Sequence, residues 1–244
     1  MINVPAIMLF GLILILAILL NGFRRRTVVV VNQTALDVGV VLFCSSLMGG
    51  LQVMNDPTAL RPVFGDGLFG FFCGLTIKLI TSALLNDTDQ GDSNQETKPI
   101  WTRAGAVGVF SIGVLGYFQV SAGIAAFISP PAFIGVGSIA IVVSVVLARI
   151  DVSRIAALIN YLPVIGFVLF IWGAIRAFHT AEPSTIGPIT ATMTLGLIYS
   201  YLARAMAFIA LSEQTLPKRP HTLDAFYSFL PIAALFGFFL LMWS

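Results

Sequence analysis

The sequence predicts an all-α, polytopic transmembrane helical bundle with no soluble domain. Of its 244 residues, 58% are hydrophobic and only 10% are charged, whereas soluble domains carry about 25% charged residues. Its apolar runs approach the ~20 residues that match the core of a bilayer. The charged residues cluster in short connections between these runs. We therefore predict that residues 1–244 form a single transmembrane domain in contact with the lipid bilayer.

We predict eight spans, with seven as the fallback. The eight spans are residues 4–21, 34–54, 67–86, 104–128, 132–149, 155–177, 186–211 and 223–243. The fallback arises because the first span is short and because "SPP" (129–131) either joins two full spans or breaks one irregular element. The first span is followed, not preceded, by basic residues and has no small-residue cleavage site, so we expect an uncleaved anchor.

The connections predict that the N-terminus lies outside. Connections 22–33, 87–103, 150–154 and 212–222 contain or border nine Lys and Arg residues, including Arg24, Arg25 and Arg26. The opposite side has only Arg61 and Arg176. Because Lys and Arg are enriched in cytoplasmic connections, the first set is assigned to the cytoplasm.

A lysine lies near the middle of the third span, in "GLFGFFCGLTIKLITSALL" (67–85). Steps of four from Gly70 reach Gly74, Lys78 and Ser82, and residues four apart share one helix face. Small residues along a face let membrane helices approach closely. The stripe therefore predicts that Lys78 lies between helices and not against lipid.

Two further charges lie inside predicted spans. Asp37 enters the second span from the cytoplasmic side, and Arg204 ends a stripe in the seventh span that includes Thr192, Gly196 and Ser200. One interpretation is a buried polar centre in which Asp37 neutralises Lys78 or Arg204. Pairing would offset the cost of about 2.5–3.5 kcal/mol for a charge inside the membrane. The alternative is that both cations reach the headgroups while Asp37 caps a helix start.

The fourth and sixth spans contribute further candidates. Gln119 is predicted either to form an interhelical hydrogen bond or to line a pathway with the charges. Pro163 removes a backbone donor and frees the carbonyl of Ile159, and Asn160 beside it offers an amide to the freed backbone or to a solute. Pro163 is accordingly a candidate hinge, and a simple kink is the alternative.

Several functional classes are excluded by what the sequence lacks. His179 and His221 both lie in connections, so no histidine pair is available for haem inside the membrane. The sequence has no metal-ligand spacing, no nucleophile elbow and no phosphate-binding glycine loop. Cys44 and Cys73 are expected to be packing thiols. We therefore expect no metal, no cofactor, no enzymatic activity and no nucleic-acid partner.

Two functions remain open from the sequence alone. One is a small channel or transporter for ions or small solutes, with Lys78, Asp37, Arg204, Asn160, Ser82 and Gln119 around its polar, cationic centre. The other is a non-catalytic transmembrane subunit of a secretion, respiratory or transport assembly. The expected partners are other membrane subunits or further copies of the chain. The short connections suggest a bacterial-type plasma membrane.

Overall fold

A computed structural model describes residues 3–22, 25–52, 57–86, 99–148, 154–179 and 183–211. These residues form α-helices and one short 3₁₀ helix, Ile124–Phe127, and contain no strand. The helices are α1 (Val4–Asn21), α2 (Arg25–Gln52), α3 (Pro57–Asn86), α4 (Ile100–Ser121), α5 (Pro130–Ala148), α6 (Arg154–His179) and α7 (Pro183–Ala210).

All seven of these helices are long and apolar enough to span a membrane. Each corresponds to one of the first seven predicted spans, which confirms that the described residues are all-helical and include seven helices able to span a membrane. The eighth predicted span, 223–243, lies outside the described residues. The orientation and the exact number of spans therefore stay predictions.

Two helices begin well before the spans that were predicted for them. α2 begins at Arg25 and α3 at Pro57, nine and ten residues before positions 34 and 67, because charged and polar residues near a helix end do not stop the helix. Asp37 is therefore 12 residues inside α2, about 18 Å along its axis. The interpretation of Asp37 as a cap at a helix start is wrong.

The "SPP" segment separates two helices. α4 ends at Ser121, seven residues before the predicted end of its span, and α5 begins at Pro130. Gly123 has a φ of 79°, a backbone conformation that favours glycine. The Tyr199 hydroxyl donates to the carbonyl of Phe127 at 2.6 Å and accepts from the amide of Ser129 at 3.0 Å. These two hydrogen bonds fix the backbone just before α5.

The chain divides into two compact units. Of the described residues, those up to 124 and 205–211 form unit 1, and those from 125 to 204 form unit 2. In unit 1, α2 packs on α3, α1 and α4. Of the residues in the most apolar stretch of α2, 83% are buried, against 22% in α3. α2 is thus the central helix of unit 1.

The contact between α2 and α3 depends on glycine. A Cβ on Gly74 would lie 2.6 Å from the carbonyl oxygen of Ala35 and 3.0 Å from the Cα of Gly39. Larger residues at position 74 would force the two backbones apart. The small stripe predicted from the sequence therefore lies against a second helix, as small residues in membrane helices commonly do.

Unit 2 contains a similar antiparallel contact between α6 and α7. A Cβ on Gly166 would lie 2.8 Å from the Cβ of Ser200, and one on Gly173 would lie 2.6 Å from the Cβ of Met193. α5 packs on α6 through a buried cluster that includes Val136, Leu162 and Ile165. Large apolar side chains such as Ile134, Ile141 and Trp172 remain exposed, as expected of surfaces that face lipid.

Candidate functional site

The central helix α2 carries polar side chains at buried positions along most of its length. These residues are Arg26, Thr27, Asn32, Thr34, Asp37, Ser45 and Ser46. From residue 26 to residue 46 the helix rises about 30 Å, which equals the thickness of the hydrocarbon core of a bilayer. A helix that only packed against apolar neighbours would not need this series, so α2 is the candidate functional helix.

Asn32 connects α2 to the predicted lysine stripe on α3. Its amide nitrogen donates to the backbone carbonyl of Lys78 at 3.0 Å, to Thr81 Oγ1 at 2.9 Å and to Ser82 Oγ at 2.7 Å. The amide has only two hydrogens for three acceptors, so one hydrogen is shared. The structure therefore brings Lys78 and Ser82 together around a residue that was not among the sequence candidates.

The position of Asn32 could have been found from helical spacing. Asn32, Ala35, Gly39, Leu42 and Ser46 follow one another at alternating steps of three and four, which places them on one face. Gly39 and Leu42 both lie against glycines of α3. Asn32 was not among the candidate site residues because residues 22–33 were predicted to form a connection.

Asp37 has no exposed surface and lies near the middle of α2. It falls between Ala35 and Gly39, and so points away from the face of α2 that packs on α3. Lys78 exposes 8% of its surface and is likewise buried. The predicted neutralisation of Asp37 by Lys78 or Arg204 stays a prediction.

A cavity of about 300 Å³ opens in unit 1 at the end of α4. Its lining residues are Asn3, Val4, Pro5, Ser46, Val63, Asp66, Tyr117, Val120 and Ser121. The Tyr117 hydroxyl interacts with Ser46 and Asn3 and lies within electrostatic range of Asp66. The hydroxyls of Ser45 and Ser121 are 3.4 Å apart. The cavity thus combines neutral oxygen groups with one carboxylate.

Apolar residues separate this cavity from Asp37. Ser46 is nine residues from Asp37, or about 13 Å along the helix. Ser46 also lies on the opposite face of α2 from Asp37, and Val40, Val41 and Cys44, on the turns between the two residues, each expose no more than 1% of their surface. Cys44 and Cys73 are free thiols. In this conformation the interior around Asp37 is closed toward the cavity.

Arg204 belongs to the part of α7 in unit 2 and exposes 3% of its surface. Three hydroxyls of α7 donate to carbonyls of their own helix. Thr194 donates to the carbonyl of Thr190 at 2.8 Å, and Ser200 donates to the carbonyl of Gly196 at 2.8 Å. Thr192 donates in the same way to Pro188. These three hydroxyls of α7 therefore bond to their own helix.

The other predicted candidates lie apart from Asn32. Asn160 is half-buried in unit 2, and Pro163 is buried within α6, which continues through it from Arg154 to His179. Gln119 is exposed near the end of α4, and its side-chain oxygen accepts from the amide of Ile124 at 3.3 Å. Gln119 thus holds the backbone after α4.

The described residues include no group of three or more His, Cys, Asp or Glu side chains that could hold a metal ion. Comparison with protein-family models, with curated proteins and with solved structures gives no match to this chain. The fold defines the class: an all-helical, apolar bundle compatible with a multi-pass membrane protein.

Proposed function

We propose that this chain is a small, non-enzymatic membrane channel or transporter for ions or small solutes, with α2 as the helix that lines the pathway. The observation that carries the proposal is Asp37, which is fully buried near the middle of a helix with buried polar residues on both sides. We further propose a bacterial-type plasma membrane as its location, with the N-terminus outside.

Placing a charge inside the membrane costs free energy. That cost is about 2.5–3.5 kcal/mol on insertion scales. A buried ion pair recovers part of it, yet apolar residues of similar volume often stabilise a protein as well or better. A bundle that only needed to pack would gain little from Asp37. An ionisable residue at this depth is by default a functional candidate.

The pathway is closed in the conformation described above. Transport would require Val40, Val41 and Cys44 to separate from their neighbours so that Asp37 becomes accessible from the cavity. α2 and α3 would move as a pair during this opening, because Asn32 fixes the register of the two helices. Lys78 and Ser82 would then move together with Asn32, which holds them to α2.

The second candidate function is a non-catalytic subunit of a larger membrane assembly, and one observation favours it. Only 11% of the residues in the most apolar stretch of Ile124–Val145 are buried, and the exposed side chains of α5 include Phe133, Ile141 and Val145. This face is available to lipid, to partner helices or to a second copy of the chain. Under this proposal the buried charges would stabilise the assembly and not a pathway.

Reconstitution into liposomes distinguishes the two functions. We expect the purified chain to support flux of small ions or solutes and Asp37→Asn to abolish it. The matched control is Asp89→Asn, which removes the same charge from the predicted connection 87–103. Purification in detergent without added crosslinker shows whether other membrane subunits copurify with the chain. Absence of flux together with stoichiometric copurification of other membrane subunits would favour the second function.

A further inference from the structure

The cavity in unit 1 has the composition of a cation site. Its lining residues include Asp66, Ser46, Tyr117, Ser121 and Asn3, which carry one carboxylate, three hydroxyls and one amide. Asp66 is the one charged side chain among the described lining residues. We infer that this cavity binds a small monovalent cation, and that the pathway proposed above therefore carries or is coupled to such a cation.

The first support is the chemistry of the lining groups. Carboxylate, hydroxyl and amide oxygens are the ligands that hard cations take in proteins. Asn3 already accepts a hydrogen bond from the amide of Ala6 at 3.0 Å, but its side-chain oxygen has a second lone pair. Tyr117 exposes only 7% of its surface and lines the cavity, and its hydroxyl interacts with Ser46 and Asn3.

The second support is the direction of α4. This helix ends at Ser121, and the carboxyl end of a helix carries a partial negative charge. Gly49 allows α2 to approach this end closely, since a Cβ there would lie 3.0 Å from the carbonyl oxygen of Ser121. The amino end of α1 also borders the cavity, and its positive partial charge is reduced by the Asn3 cap.

The charge and the volume indicate which cation the cavity takes. A single carboxylate balances one positive charge, whereas Ca²⁺ sites use several carboxylate ligands. The volume of about 300 Å³ is roughly that of ten waters at about 30 Å³ each. There is therefore room for an inorganic ion that keeps part of its hydration shell, or for a small protonated amine.

Thermal unfolding of the full chain in detergent tests the site without requiring transport. We would compare chloride salts of Na⁺, K⁺, methylammonium and N-methylglucamine at equal ionic strength, because a ligand that binds only the folded state raises the melting temperature. We expect at least one of the three small cations to raise it above the value in the bulky N-methylglucamine. A rise in Na⁺ or K⁺ would indicate that the cavity takes an inorganic ion. A rise in methylammonium would indicate that it takes a small protonated amine.

Variants connect the effect to the cavity. We expect Asp66→Asn to weaken the apparent affinity for the effective cation at least about tenfold, and Ser121→Ala to weaken it about two- to tenfold. Asp89→Asn, the matched control, should leave it unchanged. If Asp66→Asn does not fold, the wild-type salt series and Ser121→Ala still show whether the cavity binds a cation.

Two results would overturn the inference. One is equal melting temperatures of the wild-type chain in all four salts. The other is that Asp66→Asn lowers the melting temperature equally in every salt, which would mean that Asp66 only stabilises nearby helix ends. The inference rests on the proposed function only for the role of the cation. Cation binding without flux would refute the proposed transport function and support the cation site. Flux without cation binding would support transport and refute the cation site.

Discussion

The α2–α3 contact in unit 1 and the α6–α7 contact in unit 2 are built in similar ways but use polar residues differently. Both are close antiparallel contacts at glycine, with Gly74 in one and Gly166 in the other. In α7 the buried hydroxyls of Thr194 and Ser200 bond to their own helix. In α2, Asn32 bonds to the neighbouring helix instead.

The difference shows which polar residues in a membrane helix carry information. A hydroxyl that bonds to the carbonyl four residues earlier satisfies itself and can occur on any helix. An amide that bonds across helices fixes the register of two elements, and a buried carboxylate such as Asp37 needs charge compensation. α2 has both of these features, and the proposed function is therefore assigned to unit 1.

The largest expected effect on stability is at the glycine contact. Gly74→Ala places a Cβ 2.6 Å from a backbone oxygen of α2, and overpacking of this kind costs about 1–3 kcal/mol. The matched control is Gly116→Ala, where no neighbouring atom lies within 4 Å and the better helix former should stabilise by about 0.5–1 kcal/mol. Denaturation in detergent measures both. Equal effects would show that α2 and α3 do not pack as described.

The next largest expected effect on stability is at Asn32, whose side-chain amide bonds to α3. Asn32→Ala removes the bonds to Lys78, Thr81 and Ser82, and interhelical hydrogen bonds in membranes contribute about 0.6–1.7 kcal/mol. A double-mutant cycle with Ser82→Ala should show coupling between the two positions. Additive losses would contradict the contact between Asn32 and Ser82.

A comparable loss of stability is expected in unit 2 when the Tyr199 hydroxyl is removed. Tyr199→Phe removes the bonds to Phe127 and Ser129 before α5, at a net cost of about 0.5–1.5 kcal/mol. Proteolysis of the segment that precedes α5 should become faster in this variant. Unchanged proteolysis would mean that this backbone is held by other contacts.

The smallest effects sharpen the comparison between the two contacts. Thr194→Ala removes only a bond within α7, and Gln119→Ala removes an exposed bond to Ile124. Each should change the free energy of unfolding by less than about 0.5 kcal/mol. A loss at Thr194 as large as that at Asn32 would remove the distinction drawn between α7 and α2.

The sequence predicted the helices better than their ends or their partners. Apolar runs located seven helices, and the spacing of Gly70, Gly74 and Lys78 predicted a close contact for α3. The partner of that stripe, Asn32, was missed because α2 continues through a segment that was assigned to a connection. The cavity at Asp66 was missed for the same reason, since α3 begins at Pro57. Which distant oxygen atoms share a cavity depends on tertiary packing, which local spacing does not encode.

The most direct test of the proposed pathway is the accessibility of α2 to water-soluble thiol reagents in liposomes. On a background without Cys44 and Cys73, single cysteines would replace Thr34, Val41 and Ser45 on α2, and Thr194 on α7 as the matched buried control. We predict that the three α2 positions are labelled under conditions that permit flux, while position 194 is protected. Protection of position 41 at the same level as position 194, in a folded chain, would contradict a water-accessible route along α2.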